Sequence, residues 1–209
     1  NKMNISKPFE DQLIWEFDGI DVPALDFDKY ESEIASETIS VMSEPIYSKR
    51  IKHTKKHLEK YPEYKYIVKQ IQEVVEKIKE SVSSDSLYVT DLHTNTKTLL
   101  YFIDTWNMKE YDLEFIEDKK GFSMDYHIDN RHVKLNLFIN LQDNKDSTEF
   151  RLLDQYNPVS INSNIERSFR DWKGPTHKGS GYLFFNTSDL WHKINVTEDR
   201  YIGMMGVLI

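Results

Sequence analysis

From residue 87 to the C-terminus the sequence is a succession of short apolar and aromatic runs separated by turn signals, and this feature constrains the fold more than any other. The nine runs cover residues 87–92, 98–104, 111–116, 122–128, 133–141, 148–153, 181–186, 191–196 and 200–209. Runs of this length and spacing are typical of the strands in a β-sandwich or barrel. The second part of the chain is therefore predicted to form a sheet-rich core.

The N-terminal part is dominated by one strong helix signal. Within residues 62–82, apolar residues recur every three or four positions and charged residues fill the other face. This pattern predicts an amphipathic helix that packs on the outside of a sheet, with Pro62 suited to its first turn. Residues 12–20 predict a strand closed by a glycine turn, and residues 28–34 predict a short helix. Because helices come first and strands follow, the predicted fold class is α+β, mainly β.

The length of 209 residues and the lack of a long linker predict one domain. The polar break at residues 81–86 is too short to separate two domains. We therefore expect residues 1–209 to form a single domain, in which residues 1–85 supply a supporting strand and helices and residues 86–209 form the core.

Composition excludes several functional classes. The chain has no cysteine, which excludes disulfides, thiolate metal sites and cysteine nucleophiles. A net charge of −8 makes nucleic acid an unlikely partner, although the basic stretch 48–60 leaves room for one. Neither an apolar leader segment nor a membrane-length apolar stretch is present, so we expect no membrane partner and a cytoplasmic protein. Within the basic stretch, His53 and His57 stand four apart; the favoured interpretation is a solvated helix face, because no third metal ligand is near in sequence.

The motif with the clearest chemistry is His127-x-Asp129. On an extended segment these two side chains leave the same face, because a strand repeats every two residues. His192, in a later strand-like run, is the best candidate for a third ligand, and two histidines with one carboxylate form the ligand set of non-haem iron(II) oxygen-activating sites. Taken alone, an H-x-D pair is weak, and His192 could be a core histidine.

Arg200 follows His192 by eight residues and begins the last strand-like run. A guanidinium inside an apolar barrel needs a carboxylate partner, and we expect a bound dianion to provide it. Taken alone, Arg200 could instead form a surface salt bridge.

Around these residues lie further motifs of a known family. Residues 137–140 (LFIN) resemble its "YLN" strand, residues 146–150 (DSTEF) its "GGTxF" turn, residues 177–185 (HKGSGYLFF) the run before its distal histidine, and residues 200–203 (RYIG) its "R-Y-x-l" strand. In order and spacing, residues 110–209 resemble the 2-oxoglutarate/Fe(II)-dependent dioxygenase superfamily, most closely its prolyl 4-hydroxylase-like branch.

The resemblance implies a double-stranded β-helix (jelly roll) with the N-terminal helices packed on the outside of the larger sheet. It implies that His127, Asp129 and His192 bind Fe(II), that the distal carboxylate of the cosubstrate 2-oxoglutarate pairs with Arg200, and that O₂ is consumed. The expected activity is hydroxylation of a C–H bond in a small-molecule or peptide substrate, with release of succinate and CO₂. The alternatives are a jelly-roll metal-binding or structural protein without turnover, and a zinc hydrolase; the oligomeric state stays open.

The sequence departs from the family pattern at several positions. Asp146-Ser147 replaces the usual glycine pair, and Phe138 stands where that branch often uses a tyrosine hydroxyl to hold 2-oxoglutarate. Asn136, on the same face of the strand by parity, is a tentative substitute for that hydroxyl. The retained carboxylate of Asp129 argues against a halogenase. Finally, residues 154–178 are expected to form a long loop whose aromatic and arginine side chains could act as a lid or simply be solvated: Arg167, Arg170 and Trp172.

Overall fold

A computed structural model describes residues 2–10, 12–34, 49–83, 88–91, 96–99, 112–129, 133–153, 169–185 and 190–208. Most of the expected strand 98–104 and residues 154–168 of the expected loop, including Arg167, lie outside the described residues. The sequence-based expectations for those segments therefore stay predictions.

Within the described residues the chain is mainly β. The helices are a 3₁₀ turn at Phe27–Lys29, α1 at Lys55–Leu58 and α2 at Pro62–Ser83. The strands are β1 (Asn4–Ser6), β2 (Ile14–Asp18), β3 (Glu33–Ile34), β4 (Arg50–His53), β5 (Tyr88–Asp91), β6 (Thr96–Leu99), β7 (Glu114–Asp118), β8 (Ser123–His127), β9 (Val133–Asn140), β10 (Glu149–Leu153), β11 (Phe169–Lys173), β12 (Gly181–Phe185), β13 (Leu190–Asn195) and β14 (Arg200–Leu208).

The last eight strands divide between two sheets. The large sheet has the order β1-β2-β12-β9-β14-β7-β4-β3, and the small sheet has the order β11-β10-β13-β8. Strands β7 to β14 thus pass repeatedly from one sheet to the other, an arrangement that fits a jelly roll. The N-terminal strands extend the large sheet at both edges, β2 beside β12 and β4 beside β7. The mainly β, two-sheet architecture predicted from the sequence is confirmed.

Strand β9 shows how alternation builds two cores. Leu135, Leu137 and Ile139 are buried in one hydrophobic cluster together with the apolar stripe of α2. Phe138, on the other face of the strand, lies in a second cluster with residues from both sheets. Because successive strand residues point to opposite faces, one strand serves the helix layer and the inter-sheet interior at once.

Helix α2 begins at Pro62, as its periodicity predicted, and ends at Ser83, one residue beyond the predicted end; its apolar stripe is buried. Tyr64 on this stripe donates a hydrogen bond to the carbonyl of Leu113, 2.7 Å away, and its ring contacts Phe115 of β7 at 5.5 Å. Helix α2 therefore contacts the large sheet at β7, the strand that comes just before the first strand of the small sheet. No helix in the described part of the chain is long and apolar enough to cross a membrane.

Three local predictions are wrong. Residues 28–34 do not form a helix, since Phe27–Lys29 is a single 3₁₀ turn and Glu33–Ile34 a strand that pairs with β4. Arg50–His53, expected in a solvated helix, is strand β4. The expected loop 154–178 contains strand β11, which pairs with β10 over five residues. In each case pairing with a strand distant in sequence overrides a weak local signal.

Candidate metal centre

Strand pairing brings together the three residues singled out in the sequence. His127 is the last residue of β8, and the register between β8 and β13 sets His192 directly opposite it. Residues opposite one another on antiparallel strands are close enough for their side chains to touch. Asp129 follows His127 by two residues, and its carboxylate lies close to the imidazoles of His127 and His192.

The geometry suits a single ion. The ligand atoms of His127, Asp129 and His192 all lie within 4.8 Å of one another, and in the described part of the chain they are the only His, Cys, Asp and Glu side chains that form such a group. Oδ1 of Asp129 is 3.6 Å from Nε2 of His127 and 3.4 Å from Nε2 of His192. The donor set, two imidazoles and a carboxylate, is the one found in non-haem Fe(II) sites that keep open positions.

Backbone carbonyls orient both rings. Nδ1 of His127 lies 2.7 Å from the carbonyl oxygen of Asp125, and Nδ1 of His192 lies 3.4 Å from that of Leu190. A ring that donates from Nδ1 to a carbonyl presents Nε2 as a lone pair, and such contacts commonly fix metal-binding histidines. The rings of Phe150 and Phe184, with centroids 5.5 and 5.3 Å from that of His192, hold this imidazole from the interior side.

The charges at the site favour an ionised acid. Burial would raise the pKa of Asp129, but the neighbouring imidazoles of His127 and His192 outweigh it and hold that pKa well below its ordinary value. Burial would lower the pKa of His127, but its contacts with Asp129 and the Asp125 carbonyl raise it above its ordinary value. The three side chains remain 12 to 26% exposed, so one side of the group faces solvent.

Asn136 has a contact that the sequence did not predict. Its amide Nδ2 donates a short hydrogen bond to Oδ2 of Asp129. This leaves Oδ1 of the carboxylate facing the two imidazoles. The strand parity expected for Asn136 and Phe138 is correct, and the expectation that Asn136 holds cosubstrate stays a prediction.

Arg200 differs from the expectation in one respect, because it has a protein carboxylate as partner. Its Nε and Nη2 donate to Oδ2 of Asp118 at 3.1 and 2.7 Å, and its Nη1 donates to Thr148 Oγ1 at 3.1 Å. Asp118 is fully buried and also accepts two hydrogen bonds from Arg50, at 2.6 and 3.0 Å. Arg200 therefore has a protein counter-ion that the sequence did not predict, and its pairing with a cosubstrate carboxylate stays a prediction. Asp118 and Arg50 lie 82 and 150 residues before Arg200 in the sequence, and no local signal links them.

This arginine pair still carries an excess of positive charge. Two buried guanidiniums share one carboxylate, so the group formed by Arg50, Asp118 and Arg200 has a formal charge of +1. Burial would raise the pKa of Asp118, but the charges of Arg50 and Arg200 hold it below its ordinary value of 3.8. Arg200 also lies over the ring of Phe138, 5.2 Å from its centroid, and so faces the interior between the sheets.

The other singled-out histidines do not join the metal group. His53 is buried at the end of β4, with Nε2 2.6 Å from Glu117 Oε2. His57 lies on α1, with Nδ1 2.6 Å from Glu31 Oε2. The interpretation as a solvated helix face is wrong for His53, whose partners are a sheet carboxylate and the carbonyl of Glu31.

Two of the possible lid residues belong to strand β11. Trp172 packs on Phe150 and Tyr182, with ring centroids 5.4 and 6.0 Å apart, and so closes the interior cluster. The guanidinium of Arg170 lies 4.7 Å from the ring centroid of Phe9. A lid role stays a prediction that concerns the segment before β11.

No family model matches the sequence, and no curated protein matches it. Among solved structures, a Trichoplax adhaerens prolyl hydroxylase in complex with a hypoxia-inducible-factor peptide fragment is 15% identical with a TM-score of 0.34, over 46% of this chain and 43% of that one. A Pseudomonas putida prolyl-4-hydroxylase is 10% identical with a TM-score of 0.34, over 48% and 50%. A 2OG-Fe(II) oxygenase family oxidoreductase from Burkholderia pseudomallei is 15% identical with a TM-score of 0.32, over 50% and 48%.

The chain thus spans about half the length of each of these structures.

Proposed function

We propose that this chain is a non-haem Fe(II) and 2-oxoglutarate-dependent oxygenase that hydroxylates a C–H bond of a small-molecule or peptide substrate and releases succinate and CO₂. The observation that carries the proposal is the convergence of His127, Asp129 and His192 within 4.8 Å. It is supported by the order of the motifs around these residues in the sequence.

The three side chains suit Fe(II) because they occupy one face of an ion and leave the remaining positions for other ligands. Bound Fe(II), with 2-oxoglutarate and O₂, would supply the oxidising chemistry. The protein's part is positioning: the carbonyls of Asp125 and Leu190 hold the imidazoles, and Asn136 holds the carboxylate.

The buried charge near Arg200 supports 2-oxoglutarate as the cosubstrate. An excess of one positive charge in a low-dielectric interior is costly, and a second carboxylate beside Arg200 would remove that cost. A dicarboxylate whose keto-acid end binds the metal could supply this group. Arg50 lies in β4, within residues 1–85, but it belongs to the same buried charge group as Arg200 of the core. This supports the prediction that residues 1–209 act as one domain.

The proposal is tested by an anaerobic titration with Fe(II) and 2-oxoglutarate. The wild-type protein should develop a weak visible charge-transfer band, because the keto acid chelates the iron. His127→Ala should abolish the band, whereas His57→Ala, which removes a histidine outside the metal group, should retain it. A folded wild-type protein that gives no band would refute the assignment.

Turnover separates the proposal from its rivals. Succinate release that rises on addition of a candidate substrate identifies an oxygenase, whereas metal binding without succinate identifies a jelly-roll protein without turnover. Zinc in place of iron after anaerobic purification would favour a hydrolase.

A further inference from the structure

A groove at one end of the large sheet lies apart from the metal group. It is formed where strands β1 and β2 meet the C-terminal half of α2, and its volume is about 370 Å³. Pockets that bind small molecules begin at roughly 300 Å³, so the groove has room for one small ligand.

Strand alternation separates this groove from the metal centre. Trp15 of β2 lines the groove and belongs to the core cluster shared with α2, whereas its neighbour Ile14 belongs to the inter-sheet cluster. Because successive residues of a strand point to opposite faces, the groove lies on the other side of the large sheet from the inter-sheet interior. Phe150 and Phe184, whose rings contact His192, belong to that interior. A ligand in the groove would therefore occupy a second site, independent of the metal.

Four apolar side chains line the groove. Trp15 and Ile78 are buried beneath it, with 3 and 1% of their surface exposed. Met3 and Ile5 pack against the same core but are only partly buried. An aliphatic chain in the groove would remove the exposed parts of these side chains from water, which is favourable in proportion to the apolar area covered.

Two ammonium groups stand beside this apolar surface. Lys7 and Lys77 line the groove, and among its lining residues in the described part of the chain there is no carboxylate. Nζ of Lys7 donates to the carbonyl oxygen of Glu10 at 3.0 Å and lies 5.3 Å from the ring centroid of Trp15. These contacts hold the Lys7 ammonium next to the aromatic wall. Lys77 is exposed on α2, directly before Ile78. In a chain of net charge −8, this local positive field favours an anion at the groove.

We propose that the groove binds a medium-chain aliphatic carboxylate, with its methylene chain against Trp15, Ile78 and Ile5 and its carboxylate in the field of Lys7 and Lys77. A small polar anion would leave the apolar side chains uncovered, and an uncharged aliphatic molecule would gain nothing from the lysines. An aliphatic chain with one carboxylate complements both features. The proposal goes beyond the proposed function, since it concerns a site on the other side of the large sheet.

The test is calorimetry on chelator-treated, metal-free protein with four probes. Sodium octanoate should bind at one saturable site. Butyrate lacks four of its methylene groups and should bind at least tenfold more weakly, because each methylene removed from water adds to affinity. 1-Octanol, which keeps the chain without the charge, and octylammonium, which reverses the charge, should both bind more weakly than octanoate.

Charge reversal on α2 supplies the matched variants. Lys77→Glu should weaken octanoate binding by about five- to tenfold, because it replaces one attraction with a repulsion, and should leave 1-octanol binding unchanged. Lys69→Glu makes the same change of net charge at an exposed position of the same helix that does not line the groove. This control should leave octanoate binding at the wild-type value.

Each other outcome overturns the proposal. Octanoate that shows no saturable binding, or that binds no more tightly than 1-octanol or octylammonium, would remove the site or its charge preference. Equal losses in Lys69→Glu and Lys77→Glu would show an effect of net charge alone. His127→Ala should retain octanoate binding; if that variant abolishes it, the carboxylate binds at the metal centre and the groove is not its site. None of these results bears on the oxygenase assignment, which the Fe(II) titration tests separately.

Discussion

Replacing Asp118 by Asn is expected to be among the most destabilising conservative changes in this protein. The carboxylate is fully buried and accepts four hydrogen bonds, two each from Arg50 and Arg200, at 2.6 to 3.1 Å. Asparagine keeps the shape but turns one acceptor oxygen into an NH₂ donor, which then faces arginine N–H groups. It also raises the formal charge of the buried group from +1 to +2.

The magnitude follows from the cost of leaving buried charges unpaired. Removing one partner of a buried ion pair typically costs about 3–5 kcal/mol. The control is Asp171→Asn, because Asp171 also pairs with an arginine, Arg151, at 3.1 Å, but both side chains are largely exposed. An exposed pair contributes little, so this variant should unfold close to the wild type.

The assay is urea unfolding at several pH values. A carboxyl whose pKa is lower in the folded state stabilises the fold above its unfolded pKa, and this contribution is lost as the pH falls through the folded pKa. Since the pKa of Asp118 lies below 3.8, the difference between wild type and Asp118→Asn should be complete at neutral pH and shrink below about pH 4. If Asp118→Asn unfolds at neutral pH as Asp171→Asn does, the buried network does not stabilise the fold and the reasoning is refuted.

Two further predictions concern the metal group and a turn. Asn136→Ala should weaken metal binding about 10- to 100-fold, because it frees the carboxylate of Asp129 from its hydrogen bond; an unchanged affinity in a metal titration would show that the contact is dispensable. Gly179→Ala should lower the free energy of unfolding more than Gly121→Ala does. Both glycines have positive φ, which costs an alanine roughly 1–2 kcal/mol, but a Cβ at Gly179 would also overlap the backbone oxygen of Ile20, whereas at Gly121 it meets a flexible lysine end. Equal losses in a denaturant titration would contradict this ranking.

The local elements with strong periodicity could be read from the sequence. Helix α2 begins at the proline that was expected to start it, and seven of the core strands fall on the apolar runs. Strands β4 and β11 were missed because each is rich in charged residues and is recognised only beside its partner strand.

The contacts of the candidate site also fall into two groups, those predicted by a local pattern in the sequence and those that only the folded structure reveals. His127 and Asp129 were found because their two-residue spacing is a local property of the sequence, and His192 because its motif follows in a fixed order. The contact between Asn136 and Asp129 was not found, since it depends on how a strand of the large sheet faces the segment that follows β8 of the small sheet.

By itself the sequence determined a mainly β chain with one supporting helix, and it named the three residues whose ligand atoms converge. Only the tertiary structure decided how the buried charges are paired: Asp118 meets Arg50 across 68 residues and Arg200 across 82. Periodicity is fixed by neighbours along the chain, whereas these contacts depend on the register of strands that meet only after folding. A buried guanidinium must find its counter-charge in that folded interior, and no pattern in the sequence states which carboxylate will be there.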